Sequence, residues 1–87
     1  MTLQKAWSAL RIGLPAGALL FFRIGDYYET FFEDADRFSA LAGVRLVRLN
    51  GYRLAGVPAA EFEATLAKIE GTPVFLTEDR KTVVRKK

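Results

Sequence analysis

Neither cysteine nor histidine occurs among the 87 residues of this chain. Without cysteine there is no disulfide framework and no thiolate metal site, and without histidine the usual zinc ligand and the commonest general base are missing too. Most familiar catalytic constellations are thereby excluded. Long hydrophobic runs are also missing. The longest apolar stretch, Gly13 to Phe22, is interrupted by Pro15 and Gly17 and stopped by Arg23, well short of the ~20 residues that span a bilayer. It runs into Arg23 and Asp26 instead of a small-residue cleavage site, which argues against a secretory signal and predicts a cytoplasmic protein away from the membrane. Repeats, low-complexity tracts and linker-like segments are lacking as well.

What is present is a globular composition, 51% apolar and 26% charged. A chain this short cannot divide its apolar residues between two cores, so a single module over residues 1–87 with a thin core is expected. The net charge of +3 is unevenly spread: residues 1–79 carry 8 basic and 10 acidic side chains, and residues 80–87 carry five basic ones and no acid. That basic end, Arg80, Lys81, Arg85, Lys86 and Lys87, suits phosphate neutralisation and equally suits a solvated tail.

Leu3, Ala6, Trp7 and Leu10 recur at helical spacing and predict a first helix ending at the breakers Gly13 to Gly17. Ala18 to Ile24 is a continuous apolar run of strand length, as expected for a strand buried on both faces. After Gly25, Asp26 followed three residues later by Glu29 has the spacing of a capping box, which predicts a second helix starting there and stopping at Gly43. Tyr28, Phe31, Phe32, Ala35, Phe38 and Leu41 would line its inner side, with Asp26, Glu29, Glu33 and Asp36 on another. Val44 to Leu49 and Tyr52 to Val57 read as strands joined by an Asn50-Gly51 hairpin turn. Pro58 then opens a third helix through Phe62, Leu66 and Ile69 to about Glu70. Val74–Thr77 and Thr82–Arg85 read as two last strands around a Glu78-Asp79 turn. The expected fold is α/β (α+β), a small mixed sheet of about five strands flanked by about three helices.

Gly25-Asp26-Tyr27-Tyr28-Glu29 is the most informative segment. On the predicted helix Tyr28 shares the inner face with Phe31, Phe32 and Ala35, which leaves Tyr27 about 100° around and projecting from the strand-to-helix corner. An aromatic ring beside a carboxylate is then presented at a rigid bend. The plainer alternative is that Tyr27 covers the core edge and Glu29 closes the capping box.

The run Leu20-Phe21-Phe22-Arg23-Ile24-Gly25-Asp26-Tyr27-Tyr28-Glu29, with Phe32 and Asp34-Ala35 after it, resembles the LFYRMGDFYE-like signature of the N-terminal mismatch-recognition domain of the MutS family. Leu54-Ala55-Gly56-Val57-Pro58 resembles that domain's MAGIP element, and Leu66-Ala67-Lys68-Ile69 the helix after it. The resemblance covers nearly the whole chain. It implies a DNA-binding module whose Phe-x-Glu motif enters the minor groove of mismatched, looped or otherwise deformable duplex. The aromatic ring wedges open a base step, and the acid hydrogen-bonds to the base. Carried over by position, Tyr27 is the wedge and Glu29 the acid. Arg23, Arg45, Arg48, Arg53, Arg80, Lys81, Arg85, Lys86 and Lys87 are the candidate backbone contacts. The implied partners are double-stranded DNA with mismatches or loops and other mismatch-repair proteins, at the nucleoid.

Differences from the family's pattern are equally visible. Tyrosine stands at the wedge where the family mostly has phenylalanine, the loop before the MAGIP element is shortened to Asn50-Gly51, and the family's PYH becomes Pro58-Ala59-Ala60. There is no G-x-x-x-x-G-K-[ST] phosphate loop, so a stand-alone, non-enzymatic module without cofactor or metal is expected. Two other readings compete. A protein-interaction module would keep the fold without mismatch recognition, and a metal-dependent nuclease would use Asp26, Glu29, Glu33 and Asp36.

Overall fold

The apolar run after Gly17 forms β1 (Leu19–Ile24), the strand around which the fold is built. The structure, a computed structural model, describes residues 2–86. Leu19, Leu20, Phe21 and Phe22 are all 0% exposed, so the strand is buried on both faces as the run predicts. It pairs antiparallel with β2 (Tyr27–Phe31) on one side and parallel with β5 (Val74–Thr77) on the other. β4 (Tyr52–Pro58) adds to β2 and β3 (Val47–Leu49) to β4, while β6 (Val84–Lys86) closes the other edge. The six-stranded order is β3-β4-β2-β1-β5-β6.

One helix covers one face and two cover the other. On the first face, α1 (Leu3–Arg11) is capped by Thr2, whose hydroxyl accepts from the Lys5 amide, and it presses Ala6 and Trp7 onto Leu20, Phe22 and Phe31. The Trp7 ring lies 5.4 Å from Phe22 and 5.5 Å from Phe31 in tilted and edge-on contacts, geometry that aromatic quadrupoles favour. On the second face, α2 (Phe32–Ala42) and the short α3 (Phe62–Leu66) pack Ala35, Phe38, Ala42 and Phe62 against Leu19, Phe21, Ala55 and Val57. Phe21 meets Phe38 and Phe62 edge-on at 4.9 and 5.0 Å.

Two expectations are corrected. The sheet has six strands where about five were expected, and the extra one is β2: no helix starts at Asp26. Gly25 and Asp26 form a two-residue hairpin loop, with Ile24 opposite Tyr27 and Gly25 at φ 60° in the type II′ pattern. A central strand needs partners on both sides, and satisfying that edge outweighs one local capping box. The Asn50-Gly51 hairpin forms as expected, with φ of 51° and 81°, the type I′ requirement. Smaller shifts affect the other elements. The strand expected over Val44 to Leu49 is confined to Val47–Leu49, and the last strand starts at Val84 instead of Thr82. α3 is a short α-helical piece between 3-10 turns at Ala59–Glu61 and Ala67–Ile69.

α2 starts without a side-chain cap, at Phe32 with φ 56°, a strained backbone for a bulky residue. What anchors this corner is Asp34, only 2% exposed. One carboxylate oxygen accepts from the Leu20 amide at 3.0 Å; the other accepts from Arg11 at 2.9 Å and from Arg37 at 3.2 Å. Both arginines also donate to the Ala18 carbonyl. The end of α1, the start of β1 and the first turn of α2 are thus tied at a single carboxylate. Among the described residues no helix is long and apolar enough to cross a membrane.

Candidate nucleic-acid interface

The β1–β2 loop sets which way each candidate side chain points. Ile24 lies opposite Tyr27, Arg23 opposite Tyr28 and Phe22 opposite Glu29. Because successive residues of a strand face opposite sides, Tyr27 and Glu29 lie on the α1 face and Tyr28 on the other. There Tyr28 stacks on Phe62 at 4.3 Å. Tyr27 has no such cover and stays 46% exposed, beside the tight loop. It is outward-facing as expected, through strand alternation instead of helical rotation.

The two motifs found apart in the sequence are one structure. Tyr27, Tyr28 and Glu29 pair with Pro58, Val57 and Gly56 of β4, and the Ala59 amide donates to the Asp26 carbonyl at 2.7 Å, fastening the loop. A sequence signal for β2 existed: Tyr-Tyr-Glu-Thr-Phe is rich in strand-favouring types and follows a Gly-Asp pair.

Glu29 lines an open groove of about 480 Å³ with Phe31, Tyr52, Leu54 and the exposed Val47 and Leu49 of β3, and Arg80 stands in the same groove. Burial pushes the Glu29 carboxyl above its ordinary 4.5. An acid whose pKa is higher folded than unfolded opposes folding when ionised. That opposition is absent below the unfolded pKa and complete once the pH exceeds the folded one. Glu29→Gln should therefore be more stable than the parent chain at pH 7, with the advantage shrinking to nothing by about pH 4, near the ordinary carboxylate value. Thermal melts across that range check it, and an advantage that grew toward acid would contradict it.

The turn after β5 aims Arg80. Asp79 accepts from the backbone amides of Thr82 and Lys81, each at 2.8 Å, and from the Thr77 hydroxyl. These bonds hold its carboxyl down at about 2. Arg80 takes φ 60°, and its guanidinium lies 5.5 Å from the centre of the Phe22 ring.

The remaining candidates do not gather there. Arg23 donates to the Gly25 carbonyl at 2.7 Å and lies over Tyr28, on the opposite face. Arg48 and Arg53 are register partners on that same side, and Arg53 makes a two-pronged ion pair with Asp36 at 2.7 and 2.9 Å. Lys86 is paired with Glu63 of α3. Arg45 is exposed ahead of β3, and Lys81 in the turn. Arg85 lies over Phe75 at 5.6 Å on the α1 side. Lys87 lies outside the described residues. Arg37 pairs with Asp34.

The acidic stripe expected on one helix is dispersed, since Asp26 sits in the loop, Glu29 on β2, and only Glu33 and Asp36 on α2. Among the described residues no group of three or more acidic side chains is placed to hold a metal ion.

Comparison with known proteins gives a consistent result. The chain matches MutS domain I over residues 4–85. The DNA mismatch repair protein MutS of Treponema pallidum (strain Nichols) is 38% identical over 78 residues, covering 87% of this chain and 9% of that protein. MutS of Cytophaga hutchinsonii is 41% identical over 71 residues, 76% of this chain and 8% of that protein. MutS of Petrotoga mobilis is 49% identical over 41 residues, 47% of this chain and 5% of that protein. The matched stretch therefore spans less than a tenth of each relative. With the family match running from α1 to β6 and through both halves of the Tyr27 site, the chain belongs to the MutS domain I family.

Proposed function

We propose that this module, acting as one unit over residues 1–87 in the cytoplasm, senses mismatched, looped or otherwise deformable duplex DNA. Tyr27 enters the minor groove as a wedge and Glu29 hydrogen-bonds to the disturbed base. The observation that carries the reading is the Tyr27 ring, 46% exposed at a stiff two-residue loop, with Glu29 next along the same face. Prising bases apart costs a few kcal/mol, and less where pairing is already defective, so a ring that pays this cost everywhere selects the weak step. A carboxyl near phosphates is tolerated when it takes up a proton, and burial has already moved Glu29 in that direction. Arg80 in the groove supplies a phosphate contact, and the exposed Lys81 follows it in the same turn. Arg53 and Lys86 are committed to Asp36 and Glu63. The module assigns itself no catalytic step, and its partners on this reading are DNA and other mismatch-repair proteins.

Labelled homoduplex, single-mismatch duplex and single strand, titrated with the chain at low and moderate salt, test the reading. Tighter binding to the mismatch that persists as salt rises is the expected result. Equal binding to both duplexes that salt abolishes would leave only counterion release by the basic end. The competing protein-interaction reading draws on the exposed Val47 and Leu49 along edge strand β3, and that second outcome would favour it.

A further inference from the structure

We propose that Gly56 is the positioning residue for Glu29: the side chain missing at 56 is the space in which the Glu29 stem lies, and this sets where on the groove face the carboxyl sits. For DNA recognition the proposal rests on the function argued above; for the placement of Glu29 it stands on geometry alone. A Cβ built on Gly56 would lie 2.7 Å from Glu29 Cγ, 3.1 Å from the Tyr28 carbonyl oxygen and 3.5 Å from Glu29 Cα.

Backbone conformation does not explain this glycine. Six other glycines adopt positive φ, whereas Gly56 keeps ordinary strand geometry inside β4, which any residue can take up. A glycine in a strand interior weakens the sheet and marks a close approach by something else. Here the approaching group is identified, because Glu29 is the register partner of Gly56. Of the atoms in the way, the Tyr28 carbonyl and Glu29 Cα belong to backbone that is fixed in the ladder. The Glu29 stem is free to rotate. An alanine at 56 therefore displaces the Glu29 stem and its carboxyl, while the 3.1 Å approach to the Tyr28 carbonyl asks the ladder to give by only a few tenths of an ångström, so the second motif serves the first by being empty at one position.

Two measurements on the 87-residue chain test the proposal. In the parent chain, proton NMR should show contacts between the Glu29 Cγ protons and Gly56 Hα. In Gly56→Ala those protons should leave residue 56, while amides along the Tyr28–Val57 pairing keep their exchange protection. A thermal-melt cycle with Glu29→Ala covers the case in which Gly56→Ala folds poorly. The destabilisation by Gly56→Ala should shrink by at least half once the Glu29 stem is gone, the remainder being the 3.1 Å contact with the Tyr28 carbonyl.

On DNA, Gly56→Ala and Glu29→Ala should each cut the mismatch-to-homoduplex affinity ratio about tenfold, the worth of one hydrogen bond whose loss leaves a desolvated partner unsatisfied. The double variant should lose no more. Unmoved Glu29 protons in Gly56→Ala, or a Gly56→Ala cost that is the same with and without the Glu29 side chain, overturns the placement. Full discrimination with a displaced carboxyl overturns its role in recognition. A parent chain that binds both duplexes equally defeats the DNA reading, and the NMR and melt results then decide the placement by themselves.

Discussion

Asp34→Ala is expected to destabilise the chain by about 3 kcal/mol, the low end of the cost of breaking a buried ion pair from one side, because Arg11 and Arg37 keep partial contact with water. The loss comes less from missing attraction than from what remains behind. Arg11, Arg37 and the Leu20 amide all donate to this carboxylate, and removing it strands a buried N–H and two converging cations. At roughly 4–8 °C per kcal/mol for a domain of this size, the melting temperature should drop by 12 °C or more. Many small domains have only 5–15 kcal/mol in total, so the variant is expected to populate the unfolded state measurably at 37 °C. Asp34→Asn, which keeps the shape and an acceptor for the Leu20 amide, should lose less. Arg37→Ala should lose about 1 kcal/mol or less, because that side chain is 37% exposed and Arg11 still faces the carboxylate. Urea denaturation of the three variants gives the order. An Asp34→Ala midpoint close to the parent's would mean that the corner is held by packing alone.

That carboxylate also marks where reading from the sequence stops. Asp34 looks like one more acid in a helix's first turn, and its burial depends on arginines 23 residues before it and three after it, which no local pattern reveals. Features decided by neighbouring residues were readable. The run Ala18 to Ile24 is buried on both faces, and Asn50-Gly51 turns as its tolerance of positive φ requires. The error at Asp26 has an instructive cause. Phe32, Ala35 and Phe38 do lie on a helix, and the same periodicity extends backwards over Tyr28 and Phe31 by coincidence, so the capping-box spacing reads as an extension of that helix. The need of β1 for a partner, and of β2 for β4 some 27 residues further on, is a tertiary demand. The outward placement of Tyr27 therefore agrees with the expectation but has a different cause. The arginines show the limit from the other side, since the sequence reading counts Arg48 among the backbone contacts, and in the structure alternation against Val47 and Leu49 turns it away from the groove. The ion pair that occupies Arg53 could not be inferred without knowing that α2 crosses β4.

Tyr27→Ala is expected to abolish mismatch preference while leaving the fold almost untouched. An aromatic ring stacked on a base contributes about 1–3 kcal/mol by alanine substitution, so the mismatch-to-homoduplex affinity ratio should fall at least fivefold. Homoduplex affinity should change little, because on intact duplex the wedge cannot repay the cost of unstacking. The melting temperature should stay within a few degrees, since the ring is 46% exposed and belongs to neither buried core cluster. Tyr27→Phe separates stacking from the hydroxyl. It keeps the ring area and removes a group that must be desolvated inside the base stack, so its mismatch preference should equal or exceed the parent's. Competition binding of matched and mismatched duplexes at one salt concentration measures all three ratios. If Tyr27→Ala weakened both duplexes equally, the ring would be adding contact area without reading the defect. A Tyr27→Phe preference below the parent's would instead assign the recognition to the phenol hydroxyl, through a hydrogen bond that the stacking mechanism does not contain.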